Sequence, residues 1–294
     1  MDTLRLAPDL LERVLERLEF SAKPEPTWEV LDLLYDTWCR RVPFDNVRKL
    51  IHLHEEIPGA LPGDAPSDFL EAWLAHGTGG TCWASSNGLY AVLEALGFQA
   101  SRAVATMLVA PNVPPNHGTV IVDLDRIWHL VDTCILHSEP YPLTPVPIAE
   151  PPASDTAPWD APAPAWAIDS DLYDGAHHIR WRPLHRPAGM VCRIDYMDAT
   201  DEDYRARHED TRPWSLFNYE LHARLIKDDA VIGIARGQYV ELLDDGAVVE
   251  RPLEPGERER LLIETFGIDE SLVHRLPPDR PTPPPPRGPR GTAF

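Results

Sequence analysis

The chain has 294 residues, enough for one large buried core or two to three small subdomains. Its apolar fraction of 43% suits a soluble globular protein. A formal charge of −20 argues against nucleic acid and against an anionic membrane surface as partners, while leaving room for a local basic cleft facing an anionic cofactor.

Residues 1–20 alternate charged and apolar residues without an unbroken apolar run, so no signal peptide is expected. Leu10, Leu11, Val14, Leu15 and Leu18 form the stripe of a first helix. A second is expected from about Thr27 to Arg41, stopping before Pro43. A third runs from about Ser67 to Gly77, a natural C-cap. The fourth opens at Cys82, carries Leu89, Val92, Leu93 and Leu96 on one face and closes at Gly97. Residues 101–109, 118–124 and 127–131 then have strand character, and Asp125-Arg126 reads as a hairpin turn. The Pro- and Ala-rich stretch 139–166 is expected as an irregular loop. Strand-like runs return at 188–194, 220–226, 230–235, 238–243 and 247–252, with a turn at Asp244-Asp245-Gly246. A last amphipathic helix is expected over 255–266, and a disordered Pro- and Arg-rich tail from Pro277. No stretch is long and apolar enough to span a membrane. Cys39, Cys82, Cys134 and Cys192 are scattered, which points to a reducing cytoplasm.

Cys82 carries the chemistry. Gly79-Gly80-Thr81 lets the backbone turn tightly into the fourth helix, which places the thiol at a helix N-terminus. There the free N–H groups and the helix dipole favour thiolate, the nucleophile of cysteine acyl transfer. His117 precedes the strand 119–124, and Asp132 ends the strand 127–131. Pairing through Asp125-Arg126 sets residue 119 opposite 132 and brings His117 within diagonal reach. A Cys82–His117–Asp132 triad is therefore expected, with His129 and His137 as rival bases and Asp123 and Asp125 as rival carboxylates. A metal site drawn from Cys82, Cys134, His117 and His137 has no zinc-like spacing, so no metal is expected. Pro43-Phe44-Asp45-Asn46 reads either as a helix exit with an Asx-type turn or as a pocket wall that sets Phe44 beside the thiol. Trp83 packs under Cys82 or lines the same pocket. Asn87 fits a buried structural hydrogen bond.

At these residues the sequence resembles the arylamine N-acetyltransferase family. Members of that family carry a Pro-Phe-Glu-Asn stretch, an Arg-Gly-Gly-x-Cys motif opening a helix, a His before a strand and Val-Asp closing the next. The counterparts here are Pro43-Phe44-Asp45-Asn46, Thr78-Gly79-Gly80-Thr81-Cys82, His117 and Val131-Asp132. Trp181-Arg182-Pro183-Leu184, Asn218-Tyr219 and Leu262 to Ile268 extend the likeness over residues 10–275. The family pattern is broken at Thr78, Ala84 and Asn87, and after Asp132, where Thr133-Cys134-Ile135-Leu136 replaces a glycine-rich run.

The resemblance implies an α+β fold of the cysteine-protease type. A helical bundle (1–97) would carry the nucleophile. A β-barrel (98–210) would carry His and Asp and include the 139–166 loop. An α/β lid (211–276) and the tail 277–294 would follow. It implies catalytic Cys82, His117 and Asp132, with Phe44 and Trp83 at the substrate. It also implies ping-pong transfer from acetyl-CoA or another acyl thioester to a small-molecule amine, through an acyl-cysteine. An acyl carrier protein is the alternative donor. Gly80 to Trp83, Gly97 to Arg102 and Trp128 to Asp132 also resemble transglutaminase-like proteins. A thiol amidase of that kind and a catalytically silent scaffold are the alternative functions.

Overall fold

The computed structural model describes residues 6–110, 112–144, 146–150, 168–182, 184 and 189–284. Five helices come first: α1 (Pro8–Arg17), α2 (Trp28–Arg41), α3 (Val47–His54), α4 (Pro66–His76) and α5 (Cys82–Leu96). A two-residue strand, β1 (Phe44–Asp45), lies between α2 and α3. Thr27 caps α2 through its side chain, and Gly77 and Gly97 end α4 and α5 in the left-handed conformation. α1 shows one buried stripe, Leu10, Leu11, Val14 and Leu15. α5 is buried nearly all round, because it lies between the other helices and the sheet. Trp38 is fully buried and stacks on Phe69 and Trp73, with ring centroids 5.9 and 6.3 Å away. Burial of side chains this large stabilises by roughly 3 kcal/mol each.

Eight strands build the central sheet: β2 (Gln99–Met107), β3 (His117–Leu124), β4 (Ile127–Val131), β5 (Tyr141–Pro142), β6 (Val146–Pro147), β7 (Ile168–Tyr173), β8 (Ala176–Trp181) and β9 (Met190–Tyr196). Their order is β5-β4-β3-β2-β9-β8-β7-β6, antiparallel except for β6 with β7. The edge strands β5 and β6 do not pair, so the barrel expected over 98–210 takes an open form. The β3–β4 hairpin turns at Asp125-Arg126, both with φ near +60°, as a tight primed turn requires. Its register sets Val120 opposite Val131, hence residue 119 opposite 132, as the turn position predicts.

Helix α6 (Asp201–Asp210), absent from the sequence reading, follows β9. Its mean character is strongly polar, so it carries little hydrophobic periodicity. Thr200 caps it, and Asp201, Glu202 and Asp203 fill its first turn, where the helix dipole favours carboxylates.

The second sheet contains β10 (Ala223–Lys227), β11 (Ala230–Ala235), β12 (Gln238–Leu243) and β13 (Val248–Pro252), flanked by the short helices α7 (Glu257–Arg260) and α8 (Glu270–Val273). Its order is β1-β10-β11-β12-β13. The 1–97 segment therefore lends a strand to the 211–276 segment, with Phe44 opposite Arg224. The expected last helix is α7 continued by a π-type turn over Leu261–Thr265.

The expected disordered tail departs from expectation over 277–284. Asp279 accepts the Leu221 N–H at 2.9 Å, and Arg280 N–H donates to the Tyr219 carbonyl at 2.9 Å. These bonds hold the proline-rich segment against residues 219–221, just before β10, without a ladder. The loop expected over 139–166 is corrected in part, since Tyr141–Pro142 and Val146–Pro147 pair as β5 and β6 at the two sheet edges; its residues 145 and 151–166, and residues 285–294, lie outside the described residues. Among the described residues no helix is long and apolar enough to cross a membrane.

Candidate active site

α5 begins at Cys82, and Thr81 makes no side-chain cap there. The first-turn N–H groups therefore keep their positive end for the thiol. The approach is tight. A Cβ at Gly79 would overlap the Pro43 carbonyl oxygen, so only glycine fits. Asp45 reinforces this contact, accepting the Gly79 N–H at 2.7 Å and the Val47 N–H at 2.9 Å. One Asp45 oxygen thus makes the Asx-type turn, while the other ties β1 to the nucleophile loop.

His117 opens β3 and Asp132 follows β4. His117 Nε2 lies 2.6 Å from Asp132 Oδ2, with both residues buried. The second Asp132 oxygen accepts the Cys134 and Ile135 N–H groups at 2.8 and 2.9 Å. Tyr35 on α2 fixes the Asp132 backbone: its hydroxyl donates to the Asp132 carbonyl at 2.7 Å and accepts the Asp132 N–H at 3.1 Å. Ser86 on α5 donates to the Gly118 carbonyl at 3.0 Å, joining the nucleophile helix to β3.

The three groups tune one another. Burial opposes charge on His117, but the Asp132 carboxylate and the Cys82 sulfur hold the imidazole well above its usual value. Burial pushes the Cys82 thiol up, and the neighbouring His117, through charge and a hydrogen bond, brings it below its usual value. Burial likewise disfavours the Asp132 carboxylate, yet His117 and the Ile135 N–H keep it low. The arrangement favours a thiolate–imidazolium pair steered by a carboxylate.

Cys82 and His117 line a cleft of about 720 Å³, together with Asn116, Cys134, Trp181 and Arg224. Asp132 stands behind His117, outside the cleft lining. Phe44 and Trp83 are packed with Cys82, Val104, Cys134 and Tyr204 beneath the thiol and are not among the residues that line the cleft. Gly118 is required there, since a Cβ would overlap Trp83 and Tyr204. The rival bases are elsewhere: His129 packs on Trp28, with ring centroids 5.0 Å apart, and His137 bonds the Glu139 carbonyl. Asp123 pairs with Trp128 in the hairpin, and Asp125 is in its turn. Asn87 donates to the Asp64 carbonyl at 3.0 Å and accepts from Arg102 at 2.7 Å, a buried link.

The segment after Asp132 lacks glycine but keeps a glycine-like path. Leu136 and Ser138 take φ of +57° and +68°, in the left-handed region. The Leu136 side chain is buried in the main core, which offsets the strain.

Sequence reasoning missed Tyr35, Lys49 and Arg224, and weighed Cys134 only as a metal ligand. Tyr35 and Lys49 lie on helices whose apolar pattern accounts for them without chemistry. Arg224 lies in an ordinary strand run. Only the thiol's nearness to Asp132 in sequence could have flagged Cys134.

A family model described as N-acetyltransferase matches residues 27–273. Among solved structures, the arylamine N-acetyltransferase of Mycobacterium marinum is 19% identical, with a TM-score of 0.72 over 90% of this chain and 96% of that one. The Salmonella typhimurium enzyme is 16% identical, with a TM-score of 0.70 over 92% and 98%. The Mycobacterium marinum enzyme in complex with CoA is 17% identical, with a TM-score of 0.71 over 90% and 98%. No curated protein sequence matches the chain.

Proposed function

The chain belongs to the arylamine N-acetyltransferase family and is a cysteine acyltransferase; from that premise we propose that Cys82, His117 and Asp132 carry out its chemistry on a coenzyme A thioester and a small-molecule amine. The observation that carries this reading is the buried 2.6 Å contact of His117 with Asp132 behind a cleft that His117 and Cys82 both line.

In the first half-reaction the Cys82 thiolate attacks the thioester carbonyl. The N–H groups at the start of α5 hold the oxyanion. The tetrahedral adduct collapses, coenzyme A leaves as a thiolate, and His117 gives it the imidazolium proton. In the second, the amine attacks the acyl-Cys82 carbonyl and His117, now neutral, takes the amine proton. Collapse releases the amide and restores the thiolate–imidazolium pair. Asp132 holds the imidazole in one tautomer through its Nε2–H, leaving Nδ1 for the proton transfers. Phe44 and Trp83 support the thiol from below.

The coenzyme A bound by the Mycobacterium marinum relative supports this donor over an acyl carrier protein. The cleft lining carries three arginines, Arg224, Arg236 and Arg280, against two carboxylates, Glu220 and Asp279, a small cationic excess toward an anionic donor. Arg236 and Arg280 are exposed, in a chain of net charge −20. Incubation with acetyl-CoA should add one acetyl group to the intact mass, located on Cys82 and absent in Cys82→Ser. An arylamine should then discharge it. An unmodified protein after exposure to acetyl-CoA and longer acyl-CoA thioesters would sink this reading and point to an amidase or a silent scaffold.

A further inference from the structure

Arg224 is a buried cation in the wall of the Cys82 cleft. It lies on β10 and is 8% exposed. Its guanidinium lies over the Phe44 ring, 4.1 Å from the centroid, with Trp181 at 5.7 Å. Its Nη2 donates to Cys134 Sγ at 2.7 Å, and its buried Nε has no acceptor. Among the described residues no carboxylate comes within ion-pair distance of it. A thiol sulfur is a weak acceptor. Burial pushes Cys134 up despite Arg224 beside it, so that sulfur stays neutral and leaves the positive charge unanswered.

Buried arginines are ordinarily paired. The other arginines that line the cleft, Arg236 and Arg280, are exposed. Arg224 instead stands at depth, touching the sulfur two residues past Asp132. The guanidinium lies over Phe44, Nη2 is engaged by the Cys134 sulfur, and the buried Nε keeps an N–H with no acceptor in a residue that lines the cleft. A planar fork of N–H groups matches a carboxylate.

We propose that Arg224 seats a carboxylate of the substrate and so selects for an acidic partner in the acyl transfer. This rests on the reaction proposed above. Two sources share the chemistry: an amine acceptor that carries a carboxylate, as an aminobenzoate does, or a donor whose acyl group ends in one, as a malonyl thioester does. A group seated there is held near the acyl-Cys82 carbonyl. The neutral analogue would leave the guanidinium as it stands in the free protein.

The test compares ligand pairs that differ only in that charge. Binding is measured by calorimetry in the Cys82→Ser background, so no turnover is needed. One arm sets 4-aminobenzoate against 4-aminobenzamide; the other sets malonyl-CoA against acetyl-CoA. The charged member of one pair should bind about tenfold tighter or more, since a site built for a hydrogen-bonding group rejects the analogue lacking it. The pair that shows the preference identifies the source. Adding Arg224→Gln should bring that ratio close to one, and Arg224→Lys should keep part of it. Equal binding within both pairs overturns the proposal without any variant. An Arg224→Gln protein that loses charged and neutral ligands alike overturns it too, and makes Arg224 a purely structural stack. A Cys82 that takes no acyl group would overturn the proposed reaction while leaving this binding result readable.

Discussion

On the Asp132 side of the Cys82 thiol, charge meets charge: the carboxylate holds His117 and two backbone N–H groups, and Tyr35 locks the peptide behind it. The opposite side carries cations with little to hold. Arg224 has a sulfur and an aromatic face. Lys49 on α3, buried as well, donates to the Thr211 hydroxyl at 3.1 Å, with Cys82 and Glu209 as more distant negative neighbours. The difference separates two tasks. The proposed reacting groups are held by partners within the protein, whereas the proposed carboxylate seat at Arg224 is completed by a ligand. Preorganisation of the first kind speeds the chemistry; an unanswered charge of the second kind gives selectivity at the expense of stability.

The largest expected effect comes from breaking the organised side. Asp132→Asn should lower kcat/KM for the acetyl transfer by about 10,000-fold, because the amide no longer steers the imidazole tautomer. Steady-state kinetics with a fixed arylamine would check it, and a loss below tenfold would remove Asp132 from the triad.

The cationic side should respond in stability. Burial brings the Lys49 ammonium down to about 8 from 10.5. Between those values the unfolded chain still holds a proton that the folded one has released, so stability should rise with pH. Lys49→Met should remove that rise and stabilise the protein at pH 7 by about 1–4 kcal/mol. Urea denaturation at pH 7 and pH 10 would read both, and a destabilised variant would contradict the contrast drawn between the two sides.

Next in size is Tyr35→Phe. It leaves the buried Asp132 carbonyl and N–H without their partner and should cost about 1–3 kcal/mol of stability. The same denaturation curves measure it. The smallest effect tests the turn beyond Asp132. Ser138→Gly should stabilise by about 0.5–1 kcal/mol, since its φ of +68° suits glycine better than serine. An unchanged or lower midpoint would show that the serine is not strained there.

Much of the triad was legible because its signals are local. Gly79-Gly80 before an apolar helix announces a thiol at a helix start. Asp125-Arg126 between two strand runs sets the register that brings His117 to Asp132, and the observed pairing of Val120 with Val131 follows it. The placement of Phe44 and Trp83 was not legible. For each the reading stayed open between a packing role and the pocket wall; both lie in the packed layer under the thiol, because β1 joins β10 and draws Phe44 beneath Arg224. Helix α6 escaped notice because its residues are nearly all polar, so caps and charges mark it where periodicity does not. The stretch 277–284 was expected to be disordered from its prolines, and two long-range hydrogen bonds hold it.

Helix stripes, the glycine turn into α5 and the hairpin register follow from the order of residues alone, because each depends on neighbours a few positions apart. The cleft wall does not. Tyr35, Lys49 and Arg224 come from α2, α3 and β10 to the Asp132 backbone, the Thr211 hydroxyl and the Cys134 sulfur, and nothing in their own sequence surroundings distinguishes them from residues of an ordinary helix or strand. Their burial, and with it the tuning of charge around Cys82, arises only when helices and both sheets close on one another and exclude water.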